Sequence, residues 1–231
     1  MIDQKNEEKV SSLYRDVWDQ FKRHKGALFG GLVFLIIVFS VILGPFLWPF
    51  EANAIDIRSR NQGPSFSHPF GTDQLGRDTL ARMLAGGRTS IAVGLCAMVL
   101  TIFLGTFIGV TAGFYKKLDG PLMRLTDLFL SLPLLPLLLV MMLLFREPLS
   151  TAYGPERGMF ILIVFAIGIT SWMPTARIVR ADVLALKERE FVLAAIASGS
   201  SNSLVVRRHI LPNVLSPILV SATLAIANGI I

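Results

Sequence analysis

An all-α fold that crosses a membrane several times is predicted by three observations. The 231-residue chain is 53% hydrophobic and only 16% charged, where soluble domains run near ~25% charged. Five stretches carry no Asp, Glu, Lys or Arg: between Lys25 and Glu51, Arg88 and Lys116, Asp127 and Arg146, Arg157 and Arg177, and from Arg208 to Ile231. Each approaches or exceeds the roughly 18 apolar residues that a bilayer-spanning helix needs. Third, the charges are gathered between these runs in an uneven way. With the N-terminus inside, the inner segments 1–25, 116–127 and 177–209 hold six, three and six basic residues, and the outer segments 51–88 and 146–157 hold five and two. The positive-inside rule favours that orientation, although Arg77, Arg82 and Arg88 sit close to the second span on the outer side.

The net charge of +6 does not point to nucleic acid, because the basic residues flank apolar runs and form no single patch. Cys96 is the only cysteine, so no internal disulfide forms. His24, His68 and His209 are too scattered for a zinc site, and no metal ligand set is expected. Ala52-Asn53-Ala54 has the form of a signal cleavage site. The preceding apolar run is too long for a signal sequence, however, and the tail before it carries Asp3, Glu7, Glu8, Asp16 and Asp19. The first span is therefore expected to be retained.

Taken in order, residues 1–25 form a tail in which Val10, Leu13, Tyr14, Val17, Trp18 and Phe21 share one helical face. Such a helix lies flat in an interface and turns into the first span, 26–50. Trp48 is placed as an interfacial anchor. Residues 51–88 are expected to be an outer loop containing one short amphipathic helix, started by Gly71-Thr72-Asp73, braced by an Asp78–Arg82 pair, and stopped by Gly86-Gly87. The remaining segment, 89–231, reads as one transmembrane core. Gly105, Gly109 and Gly113 make a small-residue ridge for close helix approach. Asp119-Gly120-Pro121 reads as a turn before a helix start. Pro133 and Pro136 are expected to kink the third span and free the carbonyls of Phe129 and Leu132. Residues 147–156, with Pro148, Gly154 and Pro155, read as a short outer loop.

Several functions are excluded. None of the seven lysines follows a glycine, so the chain lacks the Gly-Lys step of a phosphate-binding loop and is no ATPase of that kind. The spans contain no ionisable residue of the sort ion-coupled carriers use; Asp127, at a span edge, is the nearest. No catalytic constellation is present, so the chain reads as a non-enzymatic scaffold that takes its energy from a partner, with no cofactor of its own.

The segment 177–213 is the most informative. It reads Glu190-Phe191-Val192-Leu193-Ala194-Ala195, then Gly199-Ser200, then Arg207-Arg208-His209-Ile210-Leu211-Pro212-Asn213. Two helices separated by Gly199 are expected, with Ser200, Ser201, Asn202 and Ser203 offering capping oxygens. Phe191, Ala194, Ala195, Leu204 and Val205 offer small and apolar surface. This segment resembles the EAA loop of ABC importer permeases: Ala194 and Ala195 match the paired alanines, Gly199 the glycine, and Leu211-Pro212 the terminal pair. Leu193 departs from it, standing where that family has glutamate, and His209 stands where isoleucine is usual. A second stretch is similar to the signature of the second permease in dipeptide, oligopeptide, nickel and glutathione importers. It comprises His68, Pro69, Gly71, Thr72, Asp73, Leu75, Gly76, Arg77 and Asp78.

The resemblance covers the whole chain. It implies a type I ABC importer transmembrane domain with five of an expected six helices, so a C-terminally truncated chain is expected. It also implies a multi-pass protein of the bacterial inner membrane with a cytoplasmic N-terminus. The implied partners are a homologous second permease, two P-loop ATPase subunits, an extracytoplasmic substrate-binding protein and the lipid bilayer. The loop around Phe191, Ala194, Ala195, Gly199, Ser200, Leu211 and Pro212 would be the coupling element. The implied cargo is a peptide, with nickel, glutathione or another small solute as the alternative; a scaffold with no transport role is the reading from another class.

Overall fold

The structure is a computed structural model that describes Lys22 and residues 24–215 and 218–223. The amphipathic tail expected over 1–25 lies largely outside the described residues, and the fifth span expected from Arg208 onward is described over 208–215 and 218–223. The described residues are helical with no strand: α1 (Lys25–Leu47), a 3-10 turn (Ile57–Ser59), α2 (Thr79–Phe114), α3 (Lys116–Ser131), α4 (Leu134–Tyr153), α5 (Pro155–Lys187), α6 (Glu190–Ala197), α7 (Asn202–Val205) and a π-helical turn (Val206–Ile210). Four of these helices, α1, α2, α4 and α5, are long and apolar enough to span a bilayer. The chain divides into two compact units, residues 1–88 and 89–231.

In the first unit, His24 caps α1 by accepting the Ala27 amide at 3.1 Å. Two glycines let α1 meet the start of α2. A Cβ on Gly44 would lie 2.7 Å from Leu84, and one on Gly87 would lie 2.7 Å from Val41. Gly86-Gly87 therefore does not stop a short helix as expected. α2 runs through both residues, because Gly87 serves close packing and the backbone bonds of an apolar helix have no better partner than the helix itself.

The second unit is organised by the glycine ridge of α2 lying against α5. A Cβ on Gly105 would sit 2.7 Å from Thr175, one on Gly109 2.6 Å from the Ala176 carbonyl, and one on Gly113 2.7 Å from Val183. The fit is reciprocal, since Gly168 of α5 receives Leu100 of α2. At the far end of this helix pair, Val110, Phe114, Val179 and Val183 join Val192, Val205, Ile210, Val214 and Ile218 in one apolar cluster.

Three local expectations are corrected. Asp119-Gly120-Pro121 is no turn: it lies inside α3, which starts at Lys116 directly after the extended residue Tyr115. Pro133 and Pro136 do not kink one helix. Leu132 is extended (ψ 132°) between two helices, as a residue before proline prefers. Pro133 then caps α4, and Pro136 falls in its first turn, where no amide donor is required. The Phe129 carbonyl is satisfied by the Leu132 amide at 3.3 Å. The loop expected over 147–156 is helix as far as Tyr153, with Pro148 inside it. The break is Gly154 alone, at φ 85°, followed by Pro155 at the start of α5. Gly158 then lets the α4 backbone at Leu149 come within 2.6 Å of where a Cβ would stand.

Gly109→Ala is expected to destabilise the protein by about 1–3 kcal/mol, the usual cost of overpacking a tight contact. Gly120→Ala, with open space around it, is expected to be neutral or mildly stabilising. Unfolding midpoints of the two variants in mixed detergent micelles check this.

Candidate functional site

Two places carry the residues singled out in the sequence, one in each unit. In the first unit, residues 48–78 fold into a hydrogen-bonded knot. Asp78, 3% exposed, is its centre. Its carboxylate accepts the Ala81 amide at 2.6 Å, the Trp48 indole N–H at 3.0 Å, and His68 Nδ1 at 2.7 Å. Asp78 is thereby the N-cap of α2, a role the sequence had offered to Gly71-Thr72-Asp73. Burial pushes the Asp78 carboxyl up, but the three donors outweigh burial and hold it below the usual range. The Phe50 ring covers His68 at 4.6 Å between centroids.

Asp73 is the second hub. It accepts the Leu75 and Arg77 amides at 2.9 and 3.0 Å, Arg77 Nε at 2.8 Å and Arg82 Nη1 at 2.6 Å. Arg82 thus pairs with Asp73, not with Asp78 as its spacing suggested, because the Asp78 carboxylate is already occupied. Burial acts to raise the Asp73 carboxyl, and these amide and guanidinium donors bring it down to about 2. Thr72 donates to the Ser59 carbonyl and accepts the Gln62 amide at 2.9 Å. Gly71 and Gly76 have φ of 69° and 73° and lie against the backbone of Gln62 and Asp56, so neither tolerates a side chain. Leu75 is exposed.

In the second unit, α6, α7 and the π turn form the helix–turn–helix expected around Gly199. Glu190 begins α6, where a carboxylate suits the positive end of the helix dipole. The helix ends in a Schellman motif: the Gly199 amide bonds to the Ile196 carbonyl at 3.0 Å and the Ser200 amide to the Ala195 carbonyl at 3.1 Å. Gly199 has φ 81° with nothing near its missing Cβ, so glycine is required there for conformation and not for space. Among the capping candidates Ser201 takes the role, accepting the Leu204 amide at 3.4 Å.

The Leu211-Pro212 pair explains the π turn. In a regular helix the Pro212 ring would strike the Arg208 carbonyl. The wider turn, closed by the Leu211 amide on the Val206 carbonyl at 2.8 Å, relieves that clash. Asn213 Nδ2 donates to the His209 carbonyl at 2.7 Å. Phe191 and His209 meet with ring centroids 6.3 Å apart.

This element has two faces. Val192, Val205, Ile210 and Val214 are fully buried against Val179 and Val183 of α5, and Ala195 packs beside them. Each such burial stabilises by about 1.5–3 kcal/mol at a water-facing end. Phe191, Leu193, Ile196 and Leu204 are exposed, as are Ala194 and Pro212. Leu193, at the position of the usual glutamate, is 52% exposed. Val205 was read as outward surface and is instead a buried clamp. The clamp itself escaped sequence reasoning, because Val192, Val205, Ile210 and Val214 follow no single period along the loop.

Polar ties brace the same end. Arg180 grips Asp119 through Nε and Nη2, the latter at 2.7 Å, and Arg177 pairs with Asp127. Lys187 Nζ donates to the Phe114 carbonyl at 2.9 Å and lies over the Phe114 ring. Asp127, which the sequence placed at a span edge, is therefore in an ion pair. Among the described residues no group of His, Cys, Asp or Glu is placed to hold a metal.

Several apolar helices, a tight glycine ridge and a clamped polar loop define a multi-pass membrane protein of the all-α class. Residues 101–231 match the family described as binding-protein-dependent transport system inner membrane component, and residues 12–64 match the N-terminal transmembrane domain of oligopeptide transport permease C. The chain belongs to the first of these families, whose members are transport components and not enzymes. It is 36% identical over 210 residues to a putative peptide transport system permease protein of Brucella abortus, covering 90% of this chain and 67% of the relative. It is 34% identical over 228 residues to the oligopeptide transport system permease protein of Bacillus subtilis, covering 98% and 71%. The dipeptide transport system permease protein of the same organism is 34% identical over 221 residues, covering 95% and 65%. The chain spans about two thirds of the length of these relatives.

The Asp73 contribution to the knot is fully present above pH ~4, its ordinary ionisation range, and is lost as pH falls through about 2. Asp73→Asn is expected to remove that acid dependence and to open the 56–78 loop to limited proteolysis at pH 7. Cleavage rates of the two proteins across pH 2–7 check this.

Proposed function

We propose that this chain is a permease subunit of an ABC importer and forms part of a translocation path for di- or oligopeptides, driven by ATP hydrolysis in partner chains. The observation that carries the reading is the two-faced element 190–212. Its inner face is clamped to α5 and α2 by buried valines, and its outer face leaves Phe191, Leu193, Ile196 and Leu204 exposed. A motor that grips those side chains moves the helix pair behind them, because the clamp is too well packed to slip. The transport path then alternates by rigid-body motion, the usual behaviour of packed helical units.

On this reading the loop faces the cytoplasm, the N-terminus is cytoplasmic, and the membrane is the bacterial inner membrane. Two P-loop ATPases, a homologous second permease and an extracytoplasmic binding protein complete the assembly. Ser200 lies at the turn between the helices, beside the surface the motor would hold. Leu193 replaces a charge with apolar contact and shifts that interface toward hydrophobic packing. The peptide assignment is supported by relatives described as peptide, dipeptide and oligopeptide permeases.

The test is cross-linking in mild detergent from a cysteine at Ser200, with Cys96 replaced by serine. Recovery of a P-loop ATPase is expected. A correctly inserted full-length protein with no ATPase attached would overturn the coupling role. Gly199→Pro is expected to abolish peptide uptake in membrane vesicles while leaving insertion intact, since proline is excluded from φ 81°; normal uptake would contradict it.

A further inference from the structure

A groove of about 670 Å³ runs along the second unit between α2 and the segment 203–218. One wall is two adjacent rows of α2: Met98, Ile102, Thr106 and Val110 beside Val99, Phe103, Phe107 and Thr111. The other is Val206, Leu211, Leu215 and Ile218. Phe103 and Phe107 stack at 6.4 Å and are each about two thirds exposed, at 66% and 64%. At ~1.5 Å per residue, the α2 wall from Met98 to Tyr115 is roughly 25 Å long. That exceeds the ~15 Å half-thickness of a bilayer core.

Apart from the Thr106 hydroxyl at mid-wall, which has no hydrogen-bond partner, the groove is polar at one end only. Tyr115, Ser203 and Arg207 line it there, at the end where α2 stops and the exposed Lys116 and Lys117 follow. The acidic groups of the neighbouring helices are engaged elsewhere, Asp119 by Arg180 and Asp127 by Arg177. Arg207 has no carboxylate partner among the described residues. An apolar slot closed by a free guanidinium, a hydroxyl and an interfacial tyrosine is complementary to one amphiphile: acyl chains below, an anionic phosphate above.

The geometry points to a binding site for an anionic phospholipid in this groove, with its acyl chains along Phe103, Phe107 and Leu215 and its phosphate on Arg207, Ser203 and Tyr115. A lipid held there shields the apolar flank of α2 and fastens the 203–211 segment to the membrane surface. The site depends on the membrane fold alone and not on the transport reading, so the two fail separately.

The experiment reconstitutes the full chain in nanodiscs containing a small fraction of phosphatidylglycerol or phosphatidylcholine with a photoreactive diazirine in the acyl chain. Labelled residues are mapped by mass spectrometry, with adducts on the exposed α1 residue Phe34 as the reference for bulk lipid. Adducts at Phe103, Phe107 and Leu215, normalised to Phe34, are expected to be about fivefold more abundant from phosphatidylglycerol, the ratio for one basic residue near an anionic headgroup. Arg207→Gln is expected to abolish that preference and Arg207→Lys to keep it. Equal labelling by the two lipids, or a preference that survives Arg207→Gln, would overturn the site. Absence of groove adducts from either lipid would overturn it too, and would mean that a protein helix covers the groove.

Discussion

The close approach of α2 to α5 is the contact on which the rest of the second unit depends. Three glycines four residues apart bring the two backbones near enough that the Ala176 carbonyl takes the space of a Gly109 side chain. Apolar burial does not drive such contact inside a bilayer, since lipid tails solvate leucine as well as another helix does. What remains is dispersion across a fitted surface, which is individually small and falls steeply with a gap. The ridge therefore has to be continuous, and Gly168 receiving Leu100 extends it by a further turn.

From Gly109 to the end of α2 a second force joins the first. Where the helix pair reaches its end, the apolar cluster gathers Val192, Val205, Ile210 and Val214 from a largely polar loop. Here apolar surface is withdrawn from water, and the hydrophobic effect operates at full strength. The same α5 face is thus held by lipid-phase packing along most of its length and by hydrophobic burial at Val179 and Val183. Arg180 on Asp119 and Lys187 on the Phe114 carbonyl add direction, since charge-assisted bonds fix geometry in a way that valine contacts do not. The loop behaves as an extension of the helix pair because two unlike forces meet on one continuous helix.

How much of this was legible in the sequence follows from which forces leave a local trace. The existence of four of the five expected spans was legible, because an uncharged run of the required length is itself the physical requirement. The glycine ridge was legible from its spacing, and the Gly199 turn from the left-handed backbone that ends many helices. Boundaries set by proline and glycine were not. Pro148 and Pro121 look like breakers yet lie inside helices, and Gly86-Gly87 looks like a stop yet serves packing. For Gly86-Gly87, inside the long apolar helix α2, the unmade alternative for the backbone is an unpaired group in an apolar setting, and that cost overrides local preference; Pro121 and Pro148 lie in polar stretches of α3 and α4. The Asp73–Arg82 pair was missed for a related reason: helix spacing offered Asp78 to Arg82, but Asp78 had three nearer donors.

The knot of residues 48–78 shows what a sequence signature can and cannot encode. Each polar side chain of the stretch from His68 to Asp78 that the knot uses is spent on another part of the same chain: His68 on Asp78, Thr72 on Ser59 and Gln62, Asp73 on Arg77 and Arg82. Gly71 and Gly76 are spent on backbone conformation. A buried, fully donated carboxylate at the start of α2 is costly to disturb, because removing one partner leaves the others aimed at an empty place. The chemistry of the motif is therefore architectural. It specifies how the chain passes from α1 into α2 and leaves Phe66, Phe70 and Leu75 exposed on its outside. What its residues hold in place is the loop's shape.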